Sequence, residues 1–496
     1  MAEYLVALGL IPIPATIVLA YILCLVVYRL HFSPLAHFPG SKLAAVTTWY
    51  EIYYDVILGG RFMWEIERMH QKYGPIVRIN PFEIHVKDVR FYNTLYTGTT
   101  KKRNKYPWFI RAGAPGSSFS TAEYDHHRIR RGIISPYLSK RSVRSYEPII
   151  QQKINRLCEH MLDTMRSGTE IELHISFLSF AVDVMSHLSF GPSRCFNLLE
   201  SSSLSNNIRW RKGIKALFAR LIPLRHLAFL VLLFRTLPLW LCALVDPSCA
   251  DIDFVEKSRS VEESGIFSEI LRSETLPSSE RALDRVSDDA KFFIIAGTDA
   301  PSLAMAVIMF HILRDFEVLQ KLVEELKTAL PDPAKDPSLS RLEELPYLSA
   351  VIKEGFRISS VVTTRLPRIA PGEVLEYQGW RIPAGTPVSM STYFIHNDPD
   401  IFPEPNSFKP ERWICYSPDS NLDQYPTSFS KGGQSCLGPS MAYSWCYLAF
   451  ATILRRFELE LFDTTEENIK TIRDSFNAQP KKGFDRIKVK VPRQRK

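Results

Sequence analysis

Between Asp288 and Arg314 the chain is apolar nearly all the way round a helical wheel, and no other stretch constrains the fold as strongly. A helix with one apolar stripe can lie on a surface, but one that is apolar all round has to be covered on every side. At 1.5 Å per residue it spans roughly 40 Å, about the width of a domain. The rest of the chain must therefore wrap around it. With 496 residues the chain exceeds the size at which single cores stop growing, about 250 to 300 residues. That implies either two domains or one large fold around an internal ligand. Hydrophobic residues make up 46% of the sequence, ample for such a core and too many for a mainly disordered chain.

The remaining periodicities are mostly helical. Pro346 to Ser359 places Leu348, Val351, Ile352 and Gly355 on one face and opens on a proline, which suits a first helical turn. Met441 to Phe457 reads as a helix preceded by Pro439. Short strands are predicted at Ile76 to Ile79 and Glu83 to Val86, flanking the turn Asn80-Pro81. Others are predicted between Gly372 and Tyr393, punctuated by Gly379, Pro383 and Gly385. Beyond Asp463 the sequence is mixed and polar. No repeat and no dinucleotide fingerprint occurs. The fold class predicted is mainly α with a small β region.

Tyr4 to Val27 contains no charged residue and is long enough to cross a bilayer. Glu3 precedes it, and Arg29 and His31 follow it, an order that predicts a lumenal N-terminus and a cytosolic body. The stretch lacks the basic start and short apolar run of a cleaved signal. The chain thus divides into an anchor, 1–32, and a catalytic body, 33–496, joined by a hinge at Pro34, Pro39 and Gly40. A second greasy stretch, His226 to Val245, carries Arg235 and Pro238 in its middle, so it is expected to dip into the lipid interface rather than span. The eight cysteines form no C-x-x-C pair, zinc spacing or disulfide framework, which points to a reducing compartment. Residues 101–144 hold eleven Lys or Arg against Glu123 and Asp125. No nucleic-acid motif accompanies them, so no nucleic-acid partner is expected.

One cysteine stands apart. Cys436 lies in Phe429-Ser-Lys-Gly432-Gly433-Gln434-Ser435-Cys436-Leu437-Gly438, at the mouth of the helix that Pro439 opens. Glycines let the backbone pass close to a flat, bulky group. A helix N-terminus favours a thiolate, the form that binds metals. Upstream, Glu354 and Arg357 leave one helix face, and Phe408-Lys-Pro410-Glu411-Arg412-Trp413 follows.

In this order the motifs resemble the cytochrome P450 family. Its cysteine loop reads Phe-x-x-Gly-x-Arg-x-Cys-x-Gly, with Gln434 here in place of the arginine. Its Glu-x-x-Arg helix and Pro-Glu-Arg segment correspond to Glu354, Arg357 and Arg412, which the resemblance makes a buried triad. It further implies haem b with Cys436 as axial thiolate, seated by Phe429, Gly432, Gln434 and Gly438. His126 and Arg130 match positions that bind a haem propionate, and Arg368 matches another. Arg128, Arg131, Lys140, Arg141 and Lys431 would face a reductase. Ala296-Gly297-Thr298-Asp299-Ala300-Pro301-Ser302 resembles the oxygen-binding motif of the long helix. There Gly297 would leave room for dioxygen and Asp299 would organise protons. Ala300 and Pro301 replace its two threonines, and Ser302, an ordered water or the substrate's own hydroxyl would fill the missing role.

Tyr73-Gly-Pro-Ile-Val-Arg-Ile-Asn-Pro81 and the style of the cysteine loop look most like fungal members acting on secondary metabolites, of the trichodiene-oxygenase type. The resemblance implies the P450 fold behind one N-terminal transmembrane helix. It also implies a monooxygenase on the cytosolic face of the endoplasmic reticulum, single-pass, fed by NADPH-cytochrome P450 reductase and acting on an apolar terpenoid or polyketide. Two readings stay open because of Ala300, Pro301 and Gln434. One is a haem-thiolate enzyme of rearrangement, cyclisation or dehydration; the other is a non-catalytic haem-binding protein.

Overall fold

In the computed structural model the long apolar stretch is one unbroken helix, Leu283–Arg314. It begins ahead of the apolar pattern because its first turns carry a partnered polar pair, with Arg285 Nη2 2.7 Å from Asp289 Oδ2. The structure describes residues 12–200, 204–227, 265–414, 422–425 and 427–495. Of the greasy stretch His226 to Val245, all but the first two residues lie outside them.

Named in chain order, the elements that frame the site begin with α1 (Pro12–Val27), which runs on into a π-helical turn to Phe32. Then come β1 (Ile76–Arg78), β2 (Ile84–Val86), β3 (Asn104–Lys105), α2 (Tyr124–Ile134), α3 (Glu147–Ser167) and β4 (Ile171–Glu172). The middle of the chain gives α4 (Leu173–Phe190), α5 (Leu204–His226), α6 (Leu283–Arg314) and α7 (Pro346–Ser359). Four short strands follow: β5 (Arg368–Ile369), β6 (Leu375–Tyr377), β7 (Trp380–Ile382) and β8 (Pro387–Ser389). The chain closes on α8 (Pro439–Arg456), β9 (Phe457–Leu461), β10 (Arg473–Ser475), β11 (Asn477–Gln479) and β12 (Lys488–Gln494).

Helices dominate, and α4, α6, α7 and α8 share one core with α3 packed outside them. The largest sheet has the order β1-β2-β8-β5-β3, antiparallel except where β2 runs parallel to β8. The polar C-terminal stretch, in which no strand pattern is legible, supplies the hairpin β10–β11 and the strand β12, which pairs with both β9 and β4. Its side chains alternate in burial along β12, with Val489 and Val491 inside, so the apolar face is only two residues long.

Three helical segments are long and apolar enough to cross a membrane among the described residues. Leu173–Phe190 is 83% buried and Leu283–Arg314 61% buried in the core, whereas Ala15–Phe32 is entirely unburied. The first two get their cover from the protein, so the apolar N-terminal helix alone suits a lipid environment.

The contact that brings α7 against α6 has no room for a side chain. A Cβ at Gly355 would lie 2.4 Å from Cγ1 of Ile308. Gly355→Val is therefore expected to destabilise the fold by about 1 to 3 kcal/mol through overpacking. The check is a lowered midpoint of thermal unfolding followed by circular dichroism.

Candidate functional site

The cysteine loop is shaped by backbone contacts. Gly432 has φ +76°, and a Cβ there would sit 1.9 Å from the carbonyl oxygen of Thr97, so this turn accepts only glycine. The Gly433 amide donates to that same carbonyl at 3.3 Å, and the Cys436 amide donates to Phe429 O at 2.8 Å. The Phe429 ring packs edge-on against Phe356 at 5.1 Å and lies 5.8 Å from Tyr443. Gly438 donates its amide to Cys436 Sγ at 3.3 Å. Cys436 is accessible by surface area, yet burial pushes its thiol pKa up. A group both accessible and deep lines an internal cavity. The Gly438 and Leu437 amides and the Arg131 charge pull the pKa down, but burial prevails. The amides at the helix mouth favour the thiolate, as the sequence leads one to expect, and burial works against them. A bound metal ion deprotonates a coordinating thiol outright.

The triad residues meet in the core. Glu354 Oε1 lies 2.7 Å from Arg357 Nη2 and 3.0 Å from Arg412 Nε, and the Glu354 and Arg357 side chains are 0% and 1% exposed. Trp413 Nε1 adds a bond to Glu354 Oε2 at 2.9 Å, and the Lys409 amide one to Oε1 at 3.0 Å. Burial pushes the carboxyl up, but the Arg357 hydrogen bonds and the two guanidinium charges outweigh it and hold the pKa low. Arg357 also donates to His396 O and Pro405 O, both at 2.8 Å. The His396 ring in turn receives the Thr427 amide at 3.3 Å. The helix thus grips the segment that leads into the cysteine loop.

The basic residues are arranged differently from the expectation. His126 and Arg130 turn to Glu280, with Nε2 2.9 Å and Nε 3.1 Å from its carboxylate, so they are spoken for. One residue further, His127 and Arg131 turn inward, Arg131 to the cysteine loop and His127 to the charges of Lys105 and Arg368, because each step along α2 turns the side chain by about 100°. Arg131 Nη1 donates to Ser435 O at 2.5 Å, so it points inward rather than to a reductase. His127 is 4% exposed, its Nδ1 has no partner, and burial with the charges of Lys105, Arg131 and Arg368 pushes its pKa down to about 2. Arg368 is buried and bonded to the carbonyls of Leu366 and Pro367. Lys105, which no sequence signal sets apart from its basic neighbours, joins them. No carboxylate lies within ion-pair distance of Lys105, Arg131 or Arg368 among the described residues. Gln434 donates to Arg103 O at 2.5 Å and leaves its Oε1 unpartnered. One accessible sulfur at a helix mouth, with Arg131 beside it and the buried Lys105, His127 and Arg368 clustered with Arg131, fits a flat metal-bearing group with two carboxylates.

Helix α6 forms the far wall. Gly297 does not open space over the cysteine: a Cβ there would lie 2.4 Å from Cε of Met185 on α4, so this glycine serves helix packing. Ala296 is the exposed residue, and Phe292, Ala296 and Ala300 share one face at four-residue spacing. Ser302 is fully buried and donates to Asp299 O at 2.9 Å, so its hydroxyl does not replace the missing threonine. Asp299 Oδ2 accepts from Asn477 Nδ2 at 2.6 Å. Burial raises the Asp299 pKa, which the Asn477 bond and the charges of Lys215 and Arg211 oppose. Sequence reading missed an aromatic wall. Phe292 stacks on Phe119 at 4.3 Å, and Phe119 meets Phe476 at 6.0 Å, which stacks on Phe218 at 5.9 Å. These rings come from four distant segments, and nothing in local spacing links them.

A family model described as cytochrome P450 matches residues 47–258 and 266–484. The cytochrome P450 monooxygenase sdnE of Sordaria araneosa is 39% identical over 96% of this chain and 97% of its own length. The cytochrome P450 monooxygenase TRI4 of Trichoderma arundinaceum is 38% identical over 93% of this chain and 92% of its own. The tryptophan 6-hydroxylase fscE of Fusarium equiseti is 37% identical, covering 98% of each.

Glu354→Ala would leave the Arg357 and Arg412 guanidinium groups facing each other without their shared carboxylate. Breaking a buried pair on one side costs about 3 to 5 kcal/mol. The expected outcome is folded protein in low yield that retains little haem, read as the ratio of Soret to protein absorbance.

Proposed function

The chain belongs to the cytochrome P450 family and is one of its monooxygenases, and we propose that it oxidises an apolar secondary metabolite of terpenoid or polyketide type. Electrons would come from NADPH through cytochrome P450 reductase, at the endoplasmic reticulum membrane. The observation that carries this reading is the accessible Cys436 sulfur with Arg131 beside it, Arg131 in turn clustering with His127, Arg368 and Lys105. When bound, haem b supplies the redox chemistry by which O2 is split, one atom entering the substrate and the other leaving as water.

The chain's own residues would hold, orient and protonate. Cys436 Sγ would hold the iron, its charge tempered by the Gly438 and Leu437 amides. The four basic side chains would hold the two carboxylates. Phe119, Phe292, Phe476, Ala296 and Ala300 present apolar surface that excludes water and admits an apolar substrate. Asp299 would hold the proton to be delivered on the carboxyl oxygen that does not accept from the Asn477 amide, which fixes the group through Oδ2. With alanine at 300 and Ser302 turned away, no side-chain hydroxyl of this motif reaches the cavity. A substrate that carries its own hydroxyl completes the relay from Asp299. The exposed basic residues Arg128, Lys140 and Arg141 suit an acidic reductase surface. The exposed apolar helix followed by Arg29 and His31 suits a membrane anchor with a cytosolic body.

Two outcomes test this. The ferrous carbonyl complex of the wild type should show the red-shifted Soret band of thiolate ligation, and Cys436→Ala should lose it; a band that persists would mean another ligand. Product formed per NADPH consumed should be high for hydroxylated substrates and low, with peroxide release, for simple hydrocarbons. Ala300→Thr should raise coupling for the hydrocarbons and lower it for the hydroxylated ones. High coupling in the wild type whatever the substrate would contradict the substrate-assisted relay.

A further inference from the structure

The β10–β11 hairpin is drawn tight: Ser475 pairs with Asn477, so Phe476 alone stands at the tip. It does so at φ +73°, a left-handed conformation that a bulky side chain enters only at a cost. Such a residue relaxes unless its neighbours hold it. Asp474 Oδ1 accepts the Phe476 amide at 2.9 Å and the Thr363 hydroxyl, also at 2.9 Å. Both Asp474 and Thr363 are buried. The base of the hairpin is equally fixed. The Asp474 amide donates to Gly60 O at 2.8 Å, and a Cβ at Gly60 would lie 2.1 Å from the Asp474 carbonyl oxygen. The segment after α7 completes the clasp, for Thr363 and Thr364 donate their amides to Phe476 O at 3.3 and 3.4 Å. Burial and the charge of Asp55 push the Asp474 pKa up to about 6, against the Thr363 hydrogen bond and the Arg225 and Arg365 charges. The fold thus keeps an unfavourably placed carboxylate at the point where the strained turn needs an acceptor.

What the turn carries gives this its meaning. The Phe476 ring meets Phe119 at 6.0 Å and Phe218 at 5.9 Å in the aromatic wall. The next side chain, Asn477, donates to Asp299 Oδ2 at 2.6 Å. One backbone conformation sets both. A relaxed tip would turn the ring out of the wall and draw the amide off the acid.

We propose that Asp474 is a positioning residue for the reaction: by holding the strained hairpin tip between the Phe476 amide and Thr363, it fixes at once the ring that borders the substrate and the amide that fixes Asp299. Asp474 touches neither substrate nor cofactor and acts only through these neighbours. The placement of the guest and the placement of the acid are therefore linked, and a change at 474 loosens both.

This inference rests on the reading of Phe476 as cavity wall and Asp299 as proton carrier, and the two fail differently. The test uses full-length holoprotein in detergent micelles, as Asp474→Ala, Asp474→Asn, Phe476→Ala and Asn477→Ala. The first readout is amide hydrogen exchange of the segment 473–479 by mass spectrometry. Loss of the acceptor predicts exchange about 5-fold faster or more in Asp474→Ala. Asp474→Asn should stay near wild type, because its side-chain oxygen can accept the same two hydrogen bonds. The second readout is the dissociation constant of 4-phenylimidazole, followed by its spectral shift, which should rise about 3- to 10-fold in Asp474→Ala and Phe476→Ala alike. The third is the C–O stretch of the ferrous carbonyl complex, which should shift or split in Asp474→Ala and Asn477→Ala and stay in place in Asp474→Asn. Wild-type exchange and azole binding in Asp474→Ala would overturn the proposal. So would a stretch moved by Asn477→Ala but not by Asp474→Ala, or an Asp474→Asn protein as loose as Asp474→Ala, since charge rather than the bonds to the tip would then matter. Azole binding unchanged in Phe476→Ala, or a stretch unmoved in Asn477→Ala, would instead contradict the reading of the wall or of the acid. If Asp474→Ala accumulates no holoprotein, Thr363→Val, which removes one of the two bonds, decides: exchange and azole binding identical to wild type overturn the proposal.

Discussion

Everything around the cysteine depends on one buried carboxylate. Glu354 accepts from Arg357, Arg412, Trp413 and the Lys409 amide, and so ties α7 to the segment that precedes the cysteine loop. A buried carboxylate with this many donors is stable as the anion. Arg357, held by it, has a free edge to donate to the carbonyls of His396 and Pro405. Through His396 and Thr427 the grip passes to the loop itself. Gly355, on the same helix, allows α7 to press on α6, so one element sets the spacing between the loop and the far wall of the cavity.

That cavity is built from opposites. Its floor and edge gather basic groups, at Lys105, His127, Arg131 and Arg368, with no carboxylate paired to them among the described residues. Its upper wall is apolar, from Phe119, Phe292 and Phe476. Such a division suits a cofactor whose acidic edge is fixed and whose face is left to an apolar guest. Phe476 shows how much the fold gives to place one ring: it adopts φ +73° at the tip of the β10–β11 hairpin, a conformation costly for an aromatic residue. The next residue, Asn477, holds Asp299, so the strand tip that lines the cavity also fixes the acid.

Much of this was legible in the sequence. The all-round apolar pattern announces α6, the opening proline and i, i+3 pair announce α7, and the glycine-cysteine loop with Pro439 announces the start of α8. What escaped has identifiable causes. His126 and His127 are adjacent and chemically equal, and only the rotation of α2 against Glu280 separates the outward pair from the inward one. Gly297 looks like a space-giver until Met185, far off in sequence, is seen to fill its side. Ser302 follows the motif but spends its hydroxyl on its own helix. Lys105 needs its strand partner Arg368 to become conspicuous. The C-terminal strands have too short an apolar alternation to stand out, because β12 lies at the edge of the core.

The reaction itself is tested most directly by isotope labelling. Full-length protein in membranes with reductase and NADPH would be supplied with oxygen-18-labelled dioxygen in ordinary water, and the product analysed by mass spectrometry. The account predicts one labelled oxygen atom per product molecule, formation only with NADPH, and no label when the isotope is placed in water instead. Product formed without NADPH, or oxygen drawn from water, would contradict a monooxygenase and favour rearrangement or hydration on the same scaffold.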